Sequence, residues 1–165
     1  MDSENKRRHV FISHHHADDV EVDNLTSLLK KNGCDIRNSS IRAKPANQRR
    51  LDKGLIKPET IRRLLRMKIS WAQSVMVLIG KETHSREWVS WEIEQANKQG
   101  KRIVGVFAQG EKDAKVPDSL EKYASAIVGW NSENIMAAID GTANEFQNPD
   151  GSTREATHAS VSVIC

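Results

Sequence analysis

The chain has 165 residues, enough for one domain with a modest extension. A core of that size buries about two thirds of the surface its unfolded chain exposes, so no metal or disulfide staple is needed. Apolar residues make up 38%, low for a globular chain, so part of it is expected to stay outside the core. The net charge of +3 comes from 25 basic and 22 acidic residues, and no aromatic residues interleave with the basic ones, so nucleic acid is not an expected partner. No apolar stretch approaches the roughly 20 residues of a membrane span, and the opening Met1–Arg8 lacks a signal-peptide apolar region. Cys34 and Cys165 stand far apart and suggest no disulfide framework. The expectation is a soluble, reduced, cytoplasmic protein with no membrane partner.

Residues 1–8 read as a lead-in. Five apolar runs follow: His9–Ser13, Cys34–Arg37, Ser74–Ile79, Arg102–Phe107 and Ala126–Val128. They are rich in valine and isoleucine and barely alternate, the pattern of strands covered on both faces. Between them lie helical signals. Asp18–Lys31 carries Val22, Leu25, Leu28 and Leu29 on one stripe, with Asp18 or Asp19 suited to capping it, and Asn32-Gly33 stops it. Pro58–Ser70 carries Ile61, Leu64, Leu65 and Ile69, with proline in the first turn. Ser85–Gln99 turns Val89, Ile93 and Ala96 inward, Pro117–Tyr123 is a short helix, and Ser132–Asp140 is the last, with Ser132 as its expected N-cap.

That alternation predicts an α/β, flavodoxin-like, doubly wound five-stranded parallel sheet with helices on both faces over residues 9–140. From Gly141 to Cys165 the composition turns to Thr, Asn, Ser, Asp and Ala without periodicity and reads as a flexible tail.

Basic residues concentrate between Arg42 and Lys68, where Lys44, Arg49, Arg50, Lys53, Lys57, Arg62, Arg63, Arg66 and Lys68 face only Asp52 and Glu59. Such a run suits either a phosphate-bearing ligand or the solvated side of a helix. The run His14-His15-His16 invites a metal reading. Adjacent loop residues do not readily converge on one ion, and no Cys or further His stands at helical spacing, so no metal is expected. Phosphoryl-receiver chemistry needs an aspartate ending the third strand and a lysine ending the fourth. Gly80 and Ala108-Gln109 stand there instead. No GxxxxGK[ST], GxGxxG or GxSxG occurs.

Glu92 remains. Its helix follows the strand Val75–Ile79, which sets a carboxylate at the carboxyl edge of the sheet, where open α/β folds hold ligands. Trp88 lies four residues before it and Trp91 beside it, which puts Glu92 at the border between the buried stripe and the crevice. His14 and His15, ending the first strand, face the same crevice in a flavodoxin-like order.

These residues resemble a known family. Phe11-Ile12-Ser13 followed by Asp18, the run from Ile61 to Gly80, and Thr83 with Ser85–Ile93, in which Trp88 precedes Glu92 by four, are similar to TIR domains. The similarity spans about His9 to Asp140 and is nearest to prokaryotic TIR-like proteins that include the NAD-consuming sensor of Thoeris anti-phage defence. Two features depart from typical TIR domains. The loop after the second strand lacks an acidic-Pro-Gly pattern, and Val89, not cysteine, follows Trp88. The resemblance implies NAD+ as substrate, with no prosthetic group, and cleavage of its nicotinamide–ribose bond, often with cyclisation of the ADP-ribose to a signalling nucleotide. It implies Glu92 as the catalytic residue, with Phe11, Ser13, His14, His15 and Trp88 around the substrate and Arg42 and Lys44 at its diphosphate. It also implies self-association on activation and a downstream protein that senses the nucleotide. The competing reading is a non-catalytic TIR-like module that signals by self-association alone.

Overall fold

The computed structural model describes residues 8–15, 19–38, 49, 53–54, 57–112, 114–142 and 144–153. Five strands form one parallel sheet: β1 (Arg8–Ser13), β2 (Cys34–Asn38), β3 (Ser74–Ile79), β4 (Arg102–Phe107) and β5 (Ala126–Val128), in the order β2-β1-β3-β4-β5. This is the flavodoxin-like order expected from the sequence, and its reversal falls between β1 and β3. Those two strands run side by side with Ser13 opposite Val77, so β1 ends where the crevice of the fold begins.

The missing alternation has its explanation in the layers. All six residues of β3 are buried, because helices cover both faces of the sheet. On one face, α2 (Pro58–Trp71), α3 (Glu87–Lys98) and α4 (Asp118–Tyr123) pack Ile61, Leu65, Ile69, Val89, Ile93, Ala96 and Leu120 onto Phe11, Val75, Val77 and Ile79. On the other, α1 (Asp19–Lys31) and α5 (Ser132–Asp140) pack Val22, Leu25, Leu29, Ile135 and Ile139 onto Val10, Ile12, Met76 and Val104. Cys34 lies in that second core, and burial pushes its thiol pKa up to about 11, which leaves it a small hydrophobe. Arg8, expected in the lead-in, opens β1, and its guanidinium pairs with Asp140 at the end of α5.

Three sequence expectations need correction. The helix expected from Ser85 starts at Glu87, because Thr83–Ser85 forms a separate 3-10 turn before it. The cap of α5 is Asn131, whose side chain accepts from the Asn134 amide at 3.1 Å, so Ser132 is the first helical residue. Residues 144–153 are not a loose tail. Ile127 and Phe146 form a parallel bridge, Ile127 N donates to Glu145 O at 2.9 Å and Gln147 N to Ile127 O at 2.7 Å. The buried Gln147 side chain then accepts from Gly129 N at 3.0 Å. This segment covers the open edge of β5, whose amides would otherwise lack partners. Gly129 is what permits the approach, since a Cβ there would stand 3.0 Å from the Pro149 carbonyl oxygen. Asp18 as a cap and residues 154–165 lie outside the described residues. Among those described, no helix is long and apolar enough to cross a membrane.

Gly105, mid-β4, is the tightest point of the first core. A Cβ there would meet Leu120 Cδ2 at 2.8 Å, Ile79 Cδ1 at 3.2 Å and Ile127 Cγ1 at 3.3 Å, all on buried side chains. Gly105→Ala is expected to cost about 1–3 kcal/mol of stability by overpacking, read as a lowered urea midpoint at unchanged slope.

Candidate active site

Helix α3 presents Val89, Glu92, Ile93 and Ala96 as its buried residues. Positions i, i+3, i+4 and i+7 make one stripe, so Glu92 lies within the buried face and not at its border, as the tryptophans had suggested. Its side chain is 0% exposed. An ionised carboxylate in such a place needs strong partners. Ser13 supplies one: its hydroxyl donates to Glu92 Oε1 at 2.6 Å. The length is that of a charge-assisted O–H···O bond. Ser13 can reach because it ends β1, and its side chain shares the sheet face of Phe11, two residues before it. The fold therefore brings together two expected residues 79 apart in sequence, at the strand-order reversal.

His14 and His15 continue from Ser13 and are 1% and 5% exposed, so the corner at the end of β1 is enclosed with Glu92. Phe11 is wholly buried in the hydrophobic core, where it serves as the floor behind Ser13 and offers no surface to a substrate. Trp88 is also displaced from the expected arrangement. Its ring packs at the edge of the core, 5.8 Å from Trp91 in an edge-on pair, with the Arg62 guanidinium 5.5 Å above it. Arg66 covers Trp91 in the same way at 5.5 Å, and Glu59 pairs with both arginines. The arginine beside Glu59 holds that carboxyl below its usual range, Arg66 contributing most. Two of the basic residues of the 42–68 run are thus engaged in roofing tryptophans. Arg42, Lys44 and His16 lie outside the described residues. Among those described, no group of three or more His, Cys, Asp or Glu side chains could hold a metal ion.

Sequence reasoning passed over the turn between β3 and α3. Thr83 is fully buried, accepts from Gly80 N at 2.8 Å and donates to Leu78 O at 3.3 Å, which folds the chain back sharply after β3. Glu82, beside it, accepts from Arg86 Nη2 at 2.7 Å and approaches His15 Nε2 at 3.6 Å. Arg86, and His15 behind it, hold the Glu82 carboxyl below its ordinary range. The signal available was Thr83 itself, three residues past Gly80, where a hydroxyl satisfies the amide of a tight turn. A cavity of about 580 Å³ opens elsewhere, lined by Gly110, Glu111, Lys112 and Asn148 to Asp150, and contains none of these side chains.

The profile of the Thoeris protein ThsB TIR-like domain matches residues 11–113, the stretch that carries Ser13, Thr83 and Glu92. The chain belongs to this family. Among solved structures it is similar to the Clostridium botulinum CMP N-glycosidase BcmB, at 15% identity and a TM-score of 0.49, over 82% of this chain and 100% of that one. At that distance the likeness bears on neither substrate nor mechanism. A search of curated proteins gave no match.

In the ThsB-like chain, Ser13→Ala removes the hydroxyl from a wholly enclosed carboxylate. The expected loss is about 1–3 kcal/mol of unfolding free energy, the size of a hydrogen bond to a charged group. Denaturant unfolding checks it, and Ser13→Thr, which keeps a hydroxyl, is expected to recover part of the loss.

Proposed function

We propose that this protein cleaves the nicotinamide–ribose bond of NAD+ and releases an ADP-ribose product, linear or cyclised, that signals in bacterial anti-phage defence. The observation that carries this reading is the Glu92 carboxylate, 0% exposed and bonded to Ser13 at 2.6 Å, at the carboxyl edge of the β1–β3 pair. Membership of the ThsB TIR-like family supports it.

The chemistry needs one carboxylate. In NAD+ the nicotinamide ring is already cationic, so the bond from ribose C1′ to the ring nitrogen breaks with its electron pair going to that nitrogen. Neutral nicotinamide departs and positive charge develops on the ribose. No general acid is required, unlike the paired carboxylates of most glycosidases. An anion fixed beside the sugar in a dry site stabilises that oxocarbenium character without solvent rearrangement, a contribution commonly worth several kcal/mol. Water or a ribose hydroxyl then attacks C1′ and loses its proton, with Glu92 the nearest base under this reading. Ser13, His14 and His15 would line the nicotinamide-ribose side, and Arg42 and Lys44 would meet the diphosphate.

A module that only self-associates has no use for such a group. A wholly enclosed carboxylate costs stability wherever it is not compensated, and an apolar residue at position 92 would complete the stripe of Val89, Ile93 and Ala96. The enclosure also has a kinetic consequence. Ser13, His14, His15 and Glu92 are all closed to solvent, so substrate reaches them only after the surrounding cover parts.

Incubation with NAD+ and chromatography of released nicotinamide tests the proposal, at rest and in extracts of phage-infected cells, where mass spectrometry identifies the product. Glu92→Gln is expected to lower nicotinamide release by about 10²–10³-fold, the scale of losing one electrostatic contact to the transition state. Turnover equal to that of the unaltered protein removes Glu92 from the mechanism. Absence of nicotinamide under every trigger, with signalling intact in the variant, would establish the self-associating module instead.

A further inference from the structure

Glu82 has no part in the reaction just described, yet the chain fixes it with care. It follows β3 by three residues, and its own carbonyl accepts from Ser85 N at 3.2 Å and from Ser85 Oγ at 2.9 Å. The buried Thr83 hydroxyl ties the next residue to Gly80 N and Leu78 O. Arg86 N closes the turn on Thr83 O at 3.2 Å. Position 82 is therefore held to the end of a central strand and to the start of α3.

From that base the carboxylate meets an arginine and a histidine through the same oxygen. Glu82 Oε2 accepts from Arg86 Nη2 at 2.7 Å and lies 3.6 Å from His15 Nε2. The second distance is an ion-pair contact, too long for a hydrogen bond, and it acts when the imidazole is protonated. The partners differ in solvation: the His15 side chain is 6% exposed and that of Glu82 61%. A nearly enclosed imidazolium loses most of its hydration, which disfavours the charged form. A carboxylate at the rim supplies a countercharge while keeping its own water, so it avoids the double desolvation of a buried pair. Arg86, and to a smaller extent His15, hold the Glu82 carboxyl below its ordinary range.

We infer that Glu82 is a positioning residue that holds the imidazole of His15, as a cation, at the carboxyl edge of β1, with Arg86 anchoring Glu82 in turn. Resting on the proposed reaction, this places a positive group on the nicotinamide side and the Glu92 anion on the ribose side. During cleavage positive charge leaves the ring and appears on the sugar, so the field between the two favours the direction in which charge moves. The other titratable side chains on the adjoining elements are Arg8 and His9 on β1 and His14 after it, Lys81, His84 and Arg86 in the turn, and Glu87, Glu92, Glu94 and Lys98 on α3.

Two measurements on the full chain decide the matter. The first needs no substrate: the pH titration of the His15 imidazole by NMR, in the unaltered protein and in Glu82→Gln. Loss of the countercharge is expected to move the His15 midpoint to lower pH, with the Glu82→Asp variant falling between. Coincident midpoints overturn the inference. The second uses NAD+ turnover. Glu82→Gln is expected to lower kcat by about tenfold, with KM little changed, the size of an ordinary coupling between contacting residues. Its loss of activity on the alkaline side is expected to begin at lower pH. In a His15→Gln background the same change is expected to add nothing; an equal fall in both backgrounds overturns the inference. If the unaltered protein releases no nicotinamide, the proposed reaction fails alone, and the NMR titration still decides the role of Glu82.

Discussion

The hydrogen bond from the Ser13 hydroxyl to Glu92 is the constraint around which this architecture is arranged. It ties the last residue of β1 to the middle of α3's buried face, across 79 residues of chain. Such a link is possible only where the strand order reverses, since there the chain leaves β1 and β3 in opposite directions and opens a gap between the first turns that follow. Around that bond the face is lined by apolar side chains: Phe11, Val75, Val77 and Ile79 below, Val89, Ile93 and Ala96 above. An ionised group in that setting interacts strongly with whatever enters beside it, because little water remains to screen it. The packing that makes a charge at Glu92 costly is therefore the same packing that would strengthen any contact it makes.

The fold was legible in the sequence for a physical reason, and the site was legible only in part. Ser74–Ile79, Arg102–Phe107 and Ala126–Val128 are found with the bounds their apolar runs predicted, because strands buried on both faces are apolar throughout their interiors. The helix starts were harder. Asn131 and Ser132 are both good caps, and only the backbone decides which side chain meets the amide three residues on. At Ser85 the deciding contacts are backbone bonds, Ser85 N to Glu82 O and Arg86 N to Thr83 O, which close a 3-10 turn that no periodicity reveals. The segment 144–153 lacks any apolar alternation because it adds to the sheet through backbone groups, one glutamine and the lone ring of Phe146 packed on the core.

Glu92 shows the limits most plainly. Two tryptophans at positions 88 and 91 drew the expected apolar face to one side of α3 and left the glutamate at its margin. In the structure both rings stand at the edge of the core, and guanidinium groups from α2 cover them. A tryptophan shielded in this way needs no place in the central stripe, which frees that stripe for Val89, Glu92, Ile93 and Ala96. The same contacts account for part of the basic excess between residues 42 and 68. Arg62 and Arg66 are engaged with Trp88, Trp91 and Glu59 within the molecule, so their charge is offset in part by the one carboxylate they share.

Glu92 and Glu82 stand five residues either side of Glu87 on one continuous stretch, and their surroundings could hardly differ more. The first is dry, with a neutral hydroxyl as its donor; the second is mostly in water, between an arginine and a histidine. Two carboxylates near one cleft usually divide acid and base work, because their environments drive their affinities for protons apart. Here hydrogen bonding and charge from Arg86, with a smaller part from His15, outweigh the slight desolvation of Glu82 and lower its proton affinity, so it is poorly suited to donate a proton. That is consistent with cleavage of a bond whose leaving group carries its positive charge in advance. Such a reaction has no use for a general acid, and it leaves the second carboxylate available to set the charge and position of an imidazole.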